Sequence, residues 1–298
     1  MDMNYNELDA PLKPGKLSSC RCRCGDKTVE TKSYWVVNIV AAVLHLVNAL
    51  LMLILYYEND QHDQLYNITT PYGSWKRNNE TNTMEVISKS TTVVEDVSLN
   101  WLIFSFHIMS FVFQMLVLIP QYRYEQMVEQ RGQNWLRFLE YSISASLMLS
   151  CIALTTGIRD FVTILSICAL NIITQVLGAF NEYIRDSRIR TGSFTLAWFS
   201  NLAAYGIIFW YFGVAVEQTE IEVPGFVIGI IIGQFVIFNL FGLVQWIQIY
   251  GTKWAVIGAI GRESELSYCV LSLVAKTLLG WLIYANVIVS ASDVVNNN

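Results

Sequence analysis

Charged side chains are scarce in this 298-residue chain, because Asp, Glu, Lys and Arg make up only 14% of it. A soluble domain of this length normally carries about 25% charged residues. Apolar residues reach 54%, and the mean hydropathy is +0.41. The few charges are grouped in short stretches, and the long stretches between them have almost none. This pattern argues against a water-soluble globular protein and indicates a helical membrane protein.

Several other features are rare or missing as well. The 5 prolines and 17 glycines are too few for a disordered or collagen-like chain. The net charge of −5 and the pI near 5.3 argue against a nucleic-acid partner. The sequence shows no metal-ligand cluster, nucleophile–base motif or phosphate-binding glycine loop. We therefore predict that the protein is not an enzyme and holds no metal.

The six cysteines do not form a disulfide framework. Cys151, Cys168 and Cys269 lie inside apolar runs and are interpreted as small packing residues. The other three alternate with arginine over residues 20–24, without the two-residue gaps of common zinc sites. Two interpretations stay open for this stretch: acylation beside the membrane and a plain disordered tail.

Apolar runs of membrane-spanning length organise the chain. Seven are present, over residues 34–57, 97–120, 134–157, 161–181, 191–216, 223–252 and 266–292. Each is too long for an ordinary strand and lacks an alternating pattern, which excludes a β-barrel. The sequence therefore predicts an all-α bundle of seven transmembrane helices.

The segments outside the spans complete the domain organisation. Residues 1–33 are predicted to form a Cys-, Lys- and Arg-rich tail, residues 34–292 the bundle, and residues 293–298 a second tail. No small-residue cleavage site precedes or follows the first run, so it is read as a retained helix. The largest loop, over residues 58–96, is predicted to contain a small β-hairpin, with strands over 84–88 and 91–94.

The distribution of basic residues predicts the orientation. Fourteen of the 19 Lys and Arg residues fall in the first tail and in the loops or helix ends on that same side. The other side has only four, and Lys276 lies within a span. The positive-inside rule then places the N-terminus in the cytoplasm and the C-terminus outside. Asn67 and Asn79 are candidate glycosylation acceptors in the loop predicted to be outside.

Ionisable residues deep in the bilayer are functional candidates because they are costly to bury. Lys276 is predicted to lie about 15 Å deep in the seventh span and Glu140 about 9 Å deep in the third. Glu140 is the carboxylate placed to supply an anion within the bundle. Arg137 lies one turn nearer the cytoplasm, and His45 and His107 lie near mid-depth in the first two spans.

Three interpretations of Lys276 stay open on position alone. It can pair with Glu140 to lock two helices, take part in a transporter's proton relay, or form an imine with an aldehyde. An imine that is protonated needs a nearby anion, which Glu140 can supply. Ser272, one turn before Lys276, places a hydroxyl on the same helix face.

At these residues the sequence resembles the heliorhodopsins, the inverted branch of the microbial-type rhodopsins. The matching stretches are residues 140–146 (EYSISAS), residues 272–276 (SLVAK) and Gln245-Trp246. The resemblance implies all-trans retinal bound as a protonated Schiff base to Lys276, with Glu140 as counterion. It implies that His45 and His107 belong to a cytoplasmic-side proton-accepting region, and that Arg137 and Ser272 belong to a polar network near the counterion.

The resemblance also suggests a retinal pocket on helices 3 to 6. Its expected residues are Tyr141, Ser144, Met148, Asn171, Thr174, Gln175, Gly178, Trp198, Asn201, Tyr205, Phe209, Gln234, Phe238, Phe241 and Gln245. Two departures from the ion-pumping branch are visible: Ser272 stands where the pumps have an acid, and Phe238 takes the place of a tryptophan. The first departure argues against a standard outward proton pump.

Two functions follow as competing hypotheses. The first is a light sensor that signals through its cytoplasmic loops to a partner. The second is a light-gated pathway for protons, motivated by Glu140, His45 and His107 and by an acidic outer loop (Glu217, Glu220, Glu222). A regulatory role through the tail is a third class. We expect contact with membrane lipid, a homodimer through the hairpin loop, and a location in the plasma membrane or an endomembrane of a eukaryotic cell.

Overall fold

Seven helices form the body of the protein. The computed structural model describes residues 27–58, 65–78, 82–118, 133–184, 186–218, 224–250 and 264–285. Within these ranges, seven helices are long and apolar enough to cross a membrane, which confirms the predicted fold. They are α1 (Lys27–Glu58), α2 (Leu99–Leu118), α3 (Trp135–Thr155), α4 (Phe161–Tyr183), α5 (Ser187–Glu217), α6 (Gly225–Tyr250) and α7 (Ser264–Ile283).

Local capping explains why some helices begin away from the ends of the apolar runs. The α5 helix begins at Ser187, before the predicted residue 191, because the Asp186 carboxylate accepts hydrogen bonds from the Arg188 and Ile189 amides at 2.9 and 3.1 Å. Asp160 caps α4 in the same way through the Thr163 amide at 2.8 Å. Polar residues next to an apolar run therefore extend it as helix.

A two-stranded antiparallel hairpin, made of β1 (Leu65–Arg77) and β2 (Met84–Ser98), joins α1 to α2. The hairpin was predicted, but its strands were wrongly placed, because residues 84–88 and 91–94 belong to the single strand β2. Lys89-Ser90 lacks the glycine or asparagine chemistry of a tight turn. The chain reverses instead between Asn78 and Thr83, where Asn82 has a left-handed φ of 55°.

The base of the hairpin is fastened to the turn between α3 and α4. Tyr66 is buried, and the Arg159 guanidinium lies 4.0 Å above the centre of its ring. Arg159 also donates to the Leu154 carbonyl oxygen at 2.6 Å, and its own carbonyl accepts from the Thr69 amide at 2.8 Å. Burial lowers the pKa of Arg159, while Tyr66 opposes this shift. The hairpin is thus held directly against the end of α3.

The α3 helix occupies the centre of the bundle. In its membrane-length window 61% of the residues are buried, against 22–39% in the other six helices. The helix ends at Thr155, and Gly157 in the following turn has a φ of 92°, a conformation that residues with a side chain rarely adopt. A functional group on α3 is therefore enclosed by neighbouring helices.

The outward faces of the bundle are apolar. Large side chains such as Val36, Leu50, Leu196, Phe199 and Trp210 are more than one-third exposed. Contiguous apolar surface of this extent is unfavourable in water and suits lipid acyl chains. The protein is therefore an integral, multi-pass membrane protein.

Some sequence expectations fall on residues outside the described ranges. These are the first tail up to residue 26 with its Cys/Arg stretch, the acceptor Asn79, the loop acids Glu220 and Glu222, and the chain after residue 285. The expectations for them stay predictions.

Replacing Arg159 with alanine is expected to loosen the hairpin. The substitution removes the cation–π contact with Tyr66 and the hydrogen bond to Leu154, which together stabilise the folded protein by about 1–2 kcal/mol. Thermal unfolding and limited proteolysis of the hairpin, in detergent, measure the effect. The control is the exposed Arg188→Ala, and equal protease resistance in the two variants would contradict this role.

Candidate functional site

A buried ion pair between α7 and α3 forms the centre of the site. Lys276 Nζ donates to Glu140 Oε1 at 2.7 Å, and the two residues are 2% and 5% exposed. Lys276 also donates to Ser272 Oγ at 2.8 Å, as expected from their spacing of one turn. The Ser110 hydroxyl of α2 donates to the same Glu140 oxygen at 2.7 Å. Three helices thus converge on one carboxylate.

The buried histidines form a pair beside this site. His45 Nδ1 of α1 and His107 Nδ1 of α2 are 3.2 Å apart, so one ring donates and the other accepts. Gly280, one turn after Lys276 on α7, makes room for them, since a Cβ there would lie 3.3 Å from His107 Nε2. The pair therefore lies one turn closer to the hairpin than Lys276 does. With the hairpin outside, this is the outer half of the bundle, whereas the resemblance implied the cytoplasmic side.

Arg137 belongs to a second buried ionic cluster, which we call the arginine cluster. Its guanidinium forms salt bridges with Glu182 of α4 and Glu265 of α7. It also lies over the rings of Tyr268 and Phe138, at 3.9 and 4.6 Å from their centres. Arg137 is one turn from Glu140 on α3, but its charge is directed to these two other carboxylates.

Two members of this cluster were missed in the sequence. Glu182 and Glu265 lie next to polar loops, where carboxylates are usual, so the sequence analysis named only Glu140 as a carboxylate within the bundle. Both are inside membrane-length helices and turn inward between them. The signal that could have found them is Arg137, because a buried guanidinium requires anionic partners. Asn134, which caps α3, links them further, since its amide groups bind both carboxylates.

A cavity extends from Lys276 into the bundle. It has about 770 Å³ of empty space, counted to its open mouth. The expected residues that line it are Tyr141, Ser144, Met148, Thr174, Gln175, Trp198, Asn201, Phe238, Phe241, Gln245, Ser272 and Lys276. Residues not expected there also line it: Arg137, Phe138, Ala145, Phe194, Ala197, Gly242, Tyr268 and Ala275.

Five expected pocket residues are placed in helix contacts instead. The Asn171 amide binds α3 through Ser146 Oγ at 3.0 Å, and the Gln234 amide binds the Ala275 carbonyl at 3.0 Å. The Gly178 carbonyl accepts from Gln245 at 2.9 Å. Tyr205 and Phe209 pack with Phe235, and Tyr205 also packs behind the lining residue Phe238. Helical periodicity identified an inward face for four of the five, whereas Phe209 is 37% exposed. An inward face also serves the contacts between helices.

A second, polar cavity lies on the other side of Glu140. It has about 470 Å³ of empty space, including its opening, between α1, α2, α3 and α7. Asn38, Gln114, Asn134, Glu265 and Cys269 are among its lining residues. Among the described residues, no group of three or more His, Cys, Asp or Glu side chains is arranged to hold a metal ion.

Comparisons with known proteins identify the family. The heliorhodopsin family model matches residues 34–288, which is most of the chain. The chain belongs to the heliorhodopsin family. Membership in a rhodopsin family implies a retinal chromophore and a response to light. A comparison with curated protein sequences gives no match.

Solved structures of microbial rhodopsins share the heliorhodopsin fold seen here. Cyanorhodopsin from Tolypothrix sp. NIES-4075 aligns with a TM-score of 0.55 at 8% identity, over 86% of this chain and 97% of that one. Cyanorhodopsin from Calothrix sp. NIES-2098 gives 0.54 at 14% identity, over 88% and 96%. Thermophilic rhodopsin from Rubrobacter xylanophilus gives 0.55 at 13% identity, over 87% and 98%. At these identities the likeness shows the fold alone.

The cavity fits a retinal molecule by its own chemistry. It is lined by residues of five helices, α3 to α7. Its walls are largely aromatic and aliphatic, which suits a polyene. A primary amine, that of Lys276, lies at the α7 wall, where an aldehyde can condense with it.

Substituting methionine for Arg137 is expected to destabilise the protein by about 3–5 kcal/mol, because it leaves Glu182 and Glu265 buried without a cation. The unfolding midpoint in detergent measures this loss. Adding Glu182→Gln and Glu265→Gln to Arg137→Met should recover part of it. A triple variant no more stable than Arg137→Met would show that the cost does not come from the unpaired carboxylates.

Proposed function

We propose that this heliorhodopsin is a light sensor that binds all-trans retinal as a protonated Schiff base on Lys276. The observation that carries the proposal is the buried pair of Lys276 and Glu140 at the wall of a cavity with a largely aromatic and aliphatic lining. When bound, retinal supplies a polyene that absorbs visible light and changes shape by isomerisation. Glu140 is the counterion, since its carboxylate is already 2.7 Å from the nitrogen that would carry the positive charge.

The neighbours of this pair hold its charges in place. Ser110 donates to the Glu140 carboxylate, and Ser272 accepts from Lys276 Nζ. Hydrogen bonds to charged groups are stronger than those between neutral ones, and they fix geometry as well. Together these contacts keep the carboxylate beside the nitrogen, where it opposes loss of the proton in the dark.

The signalling step would begin at α3, because this helix carries the counterion and the cavity wall. A retinal that changes shape pushes on Tyr141, Ser144 and Met148, all of which line the cavity. The α3 helix can pass this displacement on at both ends: to the arginine cluster at its start and to the hairpin base at its end. The cytoplasmic partner would then respond to the loops beside the arginine cluster.

The assembly and orientation belong to the same proposal. We expect a cytoplasmic N-terminus from the charge count and a homodimer through the hairpin, whose Trp75 and Val86 are 70% and 57% exposed on one face.

Asn67 is exposed, and its side-chain oxygen accepts from the Asp96 amide at 3.1 Å. A glycosidase-sensitive carbohydrate on Asn67 would support the orientation, and its modification by a reagent confined to the cytoplasm would contradict it.

The second candidate function is a light-gated proton pathway. The polar cavity between Glu140 and the arginine cluster favours it, because the cavity brings polar side chains from the counterion toward the end of the bundle. The His45–His107 pair provides titratable groups on the other side of Lys276. Water in these spaces would allow protons to move once the Lys276–Glu140 contact opens.

Illumination of cells that contain the protein and retinal distinguishes the two functions. A sensor gives no current at any voltage or pH gradient, since the contact between Lys276 and Glu140 lies between the two cavities and stays in place. A current that reverses with the proton gradient and is reduced in Glu140→Gln would establish the proton pathway instead. Cells with Lys276→Arg are the control for currents that do not depend on the chromophore.

Purified protein supplied with all-trans retinal is expected to absorb visible light. Lys276→Arg should abolish the visible band, because a guanidinium does not condense with the aldehyde. Glu140→Gln should move the band to longer wavelength, since the charge that stabilises the cationic end of the ground state is lost. Lys89→Arg on the exposed hairpin is the matched control and should leave the spectrum unchanged. The absence of a visible band in the unsubstituted protein would rule out the proposal.

A further inference from the structure

Asn201 of α5 is an unusual residue in the wall of the retinal cavity. It is 8% exposed, and its side chain has no hydrogen-bond partner among the described residues. Four other asparagines in the helices bond through their side-chain amides: Asn48 with Trp281, Asn171 with Ser146, Asn181 with Arg190 and Asn239 with Phe235. Because Asn201 lines the cavity, a bound ligand can supply the partner that its amide lacks.

The position of Asn201 indicates which part of the ligand it would meet. The α7 helix, with Lys276, neighbours α1 and α6, whereas α5 packs against α4. Asn201 therefore lies across the cavity from the amine. A retinal held at its aldehyde by Lys276 extends its other end, the six-membered ring, toward this wall.

The other polar groups at this wall are already engaged. The Gln175 and Gln245 amides donate to Asn171 and to the Gly178 carbonyl, respectively. The Thr174 hydroxyl lies 2.9 Å from the Leu170 carbonyl oxygen that accepts its hydrogen bond. Among the described residues at this part of the wall, Asn201 thus has the side-chain amide that is without a hydrogen-bond partner.

The neighbours of Asn201 shape a tight space for a ring. Trp198 lies one turn before it on α5 and also lines the cavity. The Trp198 indole lies directly over Gly242 of α6. A Cβ added to Gly242 would lie only 1.9 Å from Trp198 Nε1. The six-membered ring can therefore rest beside the indole, with its edge facing the Asn201 amide.

We propose that the cavity selects a retinal whose ring carries an oxygen, as a ketone or a hydroxyl, with Asn201 donating a hydrogen bond to that oxygen. This inference rests on the proposed function and names the chemical class of its chromophore. An unsubstituted ring leaves the amide unpaired in an apolar site, and an oxygenated ring satisfies it. A site built around a hydrogen bond discriminates against a ligand that lacks the partner atom. Since one such bond contributes about 1 kcal/mol net, the expected preference is about fivefold.

Competition between two aldehydes tests the proposal. The full-length protein in lipid nanodiscs receives equal amounts of all-trans retinal and all-trans 4-oxoretinal, and the bound chromophores are extracted and quantified. The unsubstituted protein should be enriched about fivefold in 4-oxoretinal. Asn201→Leu should lose this enrichment. Asn239→Leu is the matched control, because its amide bonds its own helix and lies outside the cavity lining.

A second measurement does not depend on formation of the pigment. In a Lys276→Ala background, quenching of tryptophan fluorescence gives the dissociation constants of retinol and 4-oxoretinol, which cannot condense with an amine. The oxygenated alcohol should bind about fivefold more tightly, and Asn201→Leu should make the two equal. Asn201→Ala replaces the leucine variant if the latter does not accumulate.

The outcomes separate this inference from the proposed function. Equal uptake of the two aldehydes, or a preference that survives in both Asn201 variants, overturns the selection by Asn201 and indicates that water satisfies the amide. In that case a visible band with either aldehyde leaves retinal binding intact. The absence of a band with both aldehydes contradicts retinal binding and this inference together.

Discussion

The ion pair between Lys276 and Glu140 is the interaction on which the site depends. Both charges are removed from water in the interior of a membrane protein, where an isolated ion is unfavourable by several kcal/mol. Each charge is therefore stable only with the other close by. This requirement fixes the distance between α7 and α3 at one point, and Ser110 extends the constraint to α2.

The same requirement explains how the protein can respond to light. A retinal attached to Lys276 would keep the positive charge on the nitrogen and so preserve the attraction to Glu140. A change in the shape of retinal would then pull the positively charged nitrogen of Lys276 against its attraction to Glu140. Because α3 is the most buried of the described helices, a movement of it would reach the groups at its ends rather than lipid.

The ends of α3 are built differently, and this difference gives the bundle two kinds of junction. At its start, the arginine cluster joins α3, α4 and α7 through charges. At its end, the hairpin is joined by the stacking of Arg159 on Tyr66 and by a backbone hydrogen bond. Salt bridges buried with aromatic rings resist separation, whereas the partly exposed hairpin contact is easier to open.

Much of this architecture could be predicted from the sequence, since hydropathy and isolated charges are local signals. Lys276 stands out because nothing else near it in its span is charged. The roles of Glu182 and Glu265 could not be read in this way, because they lie 45 and 128 residues from Arg137 and beside polar loops. The pairing of β1 with β2 is likewise non-local, and β1 contains a proline, a glycine and an asparagine that weaken its strand pattern. Asn201 was expected in the pocket, but its lack of a partner is visible only in three dimensions.

Chemical trapping of the chromophore tests the central claim most directly. Borohydride reduces a Schiff base to a stable amine, so the retinyl group stays on the residue that carried it. After reduction in the light, digestion and mass spectrometry, we predict a retinyl group on the peptide that contains Lys276. An unmodified Lys276, or a retinyl group on another lysine, would contradict the account.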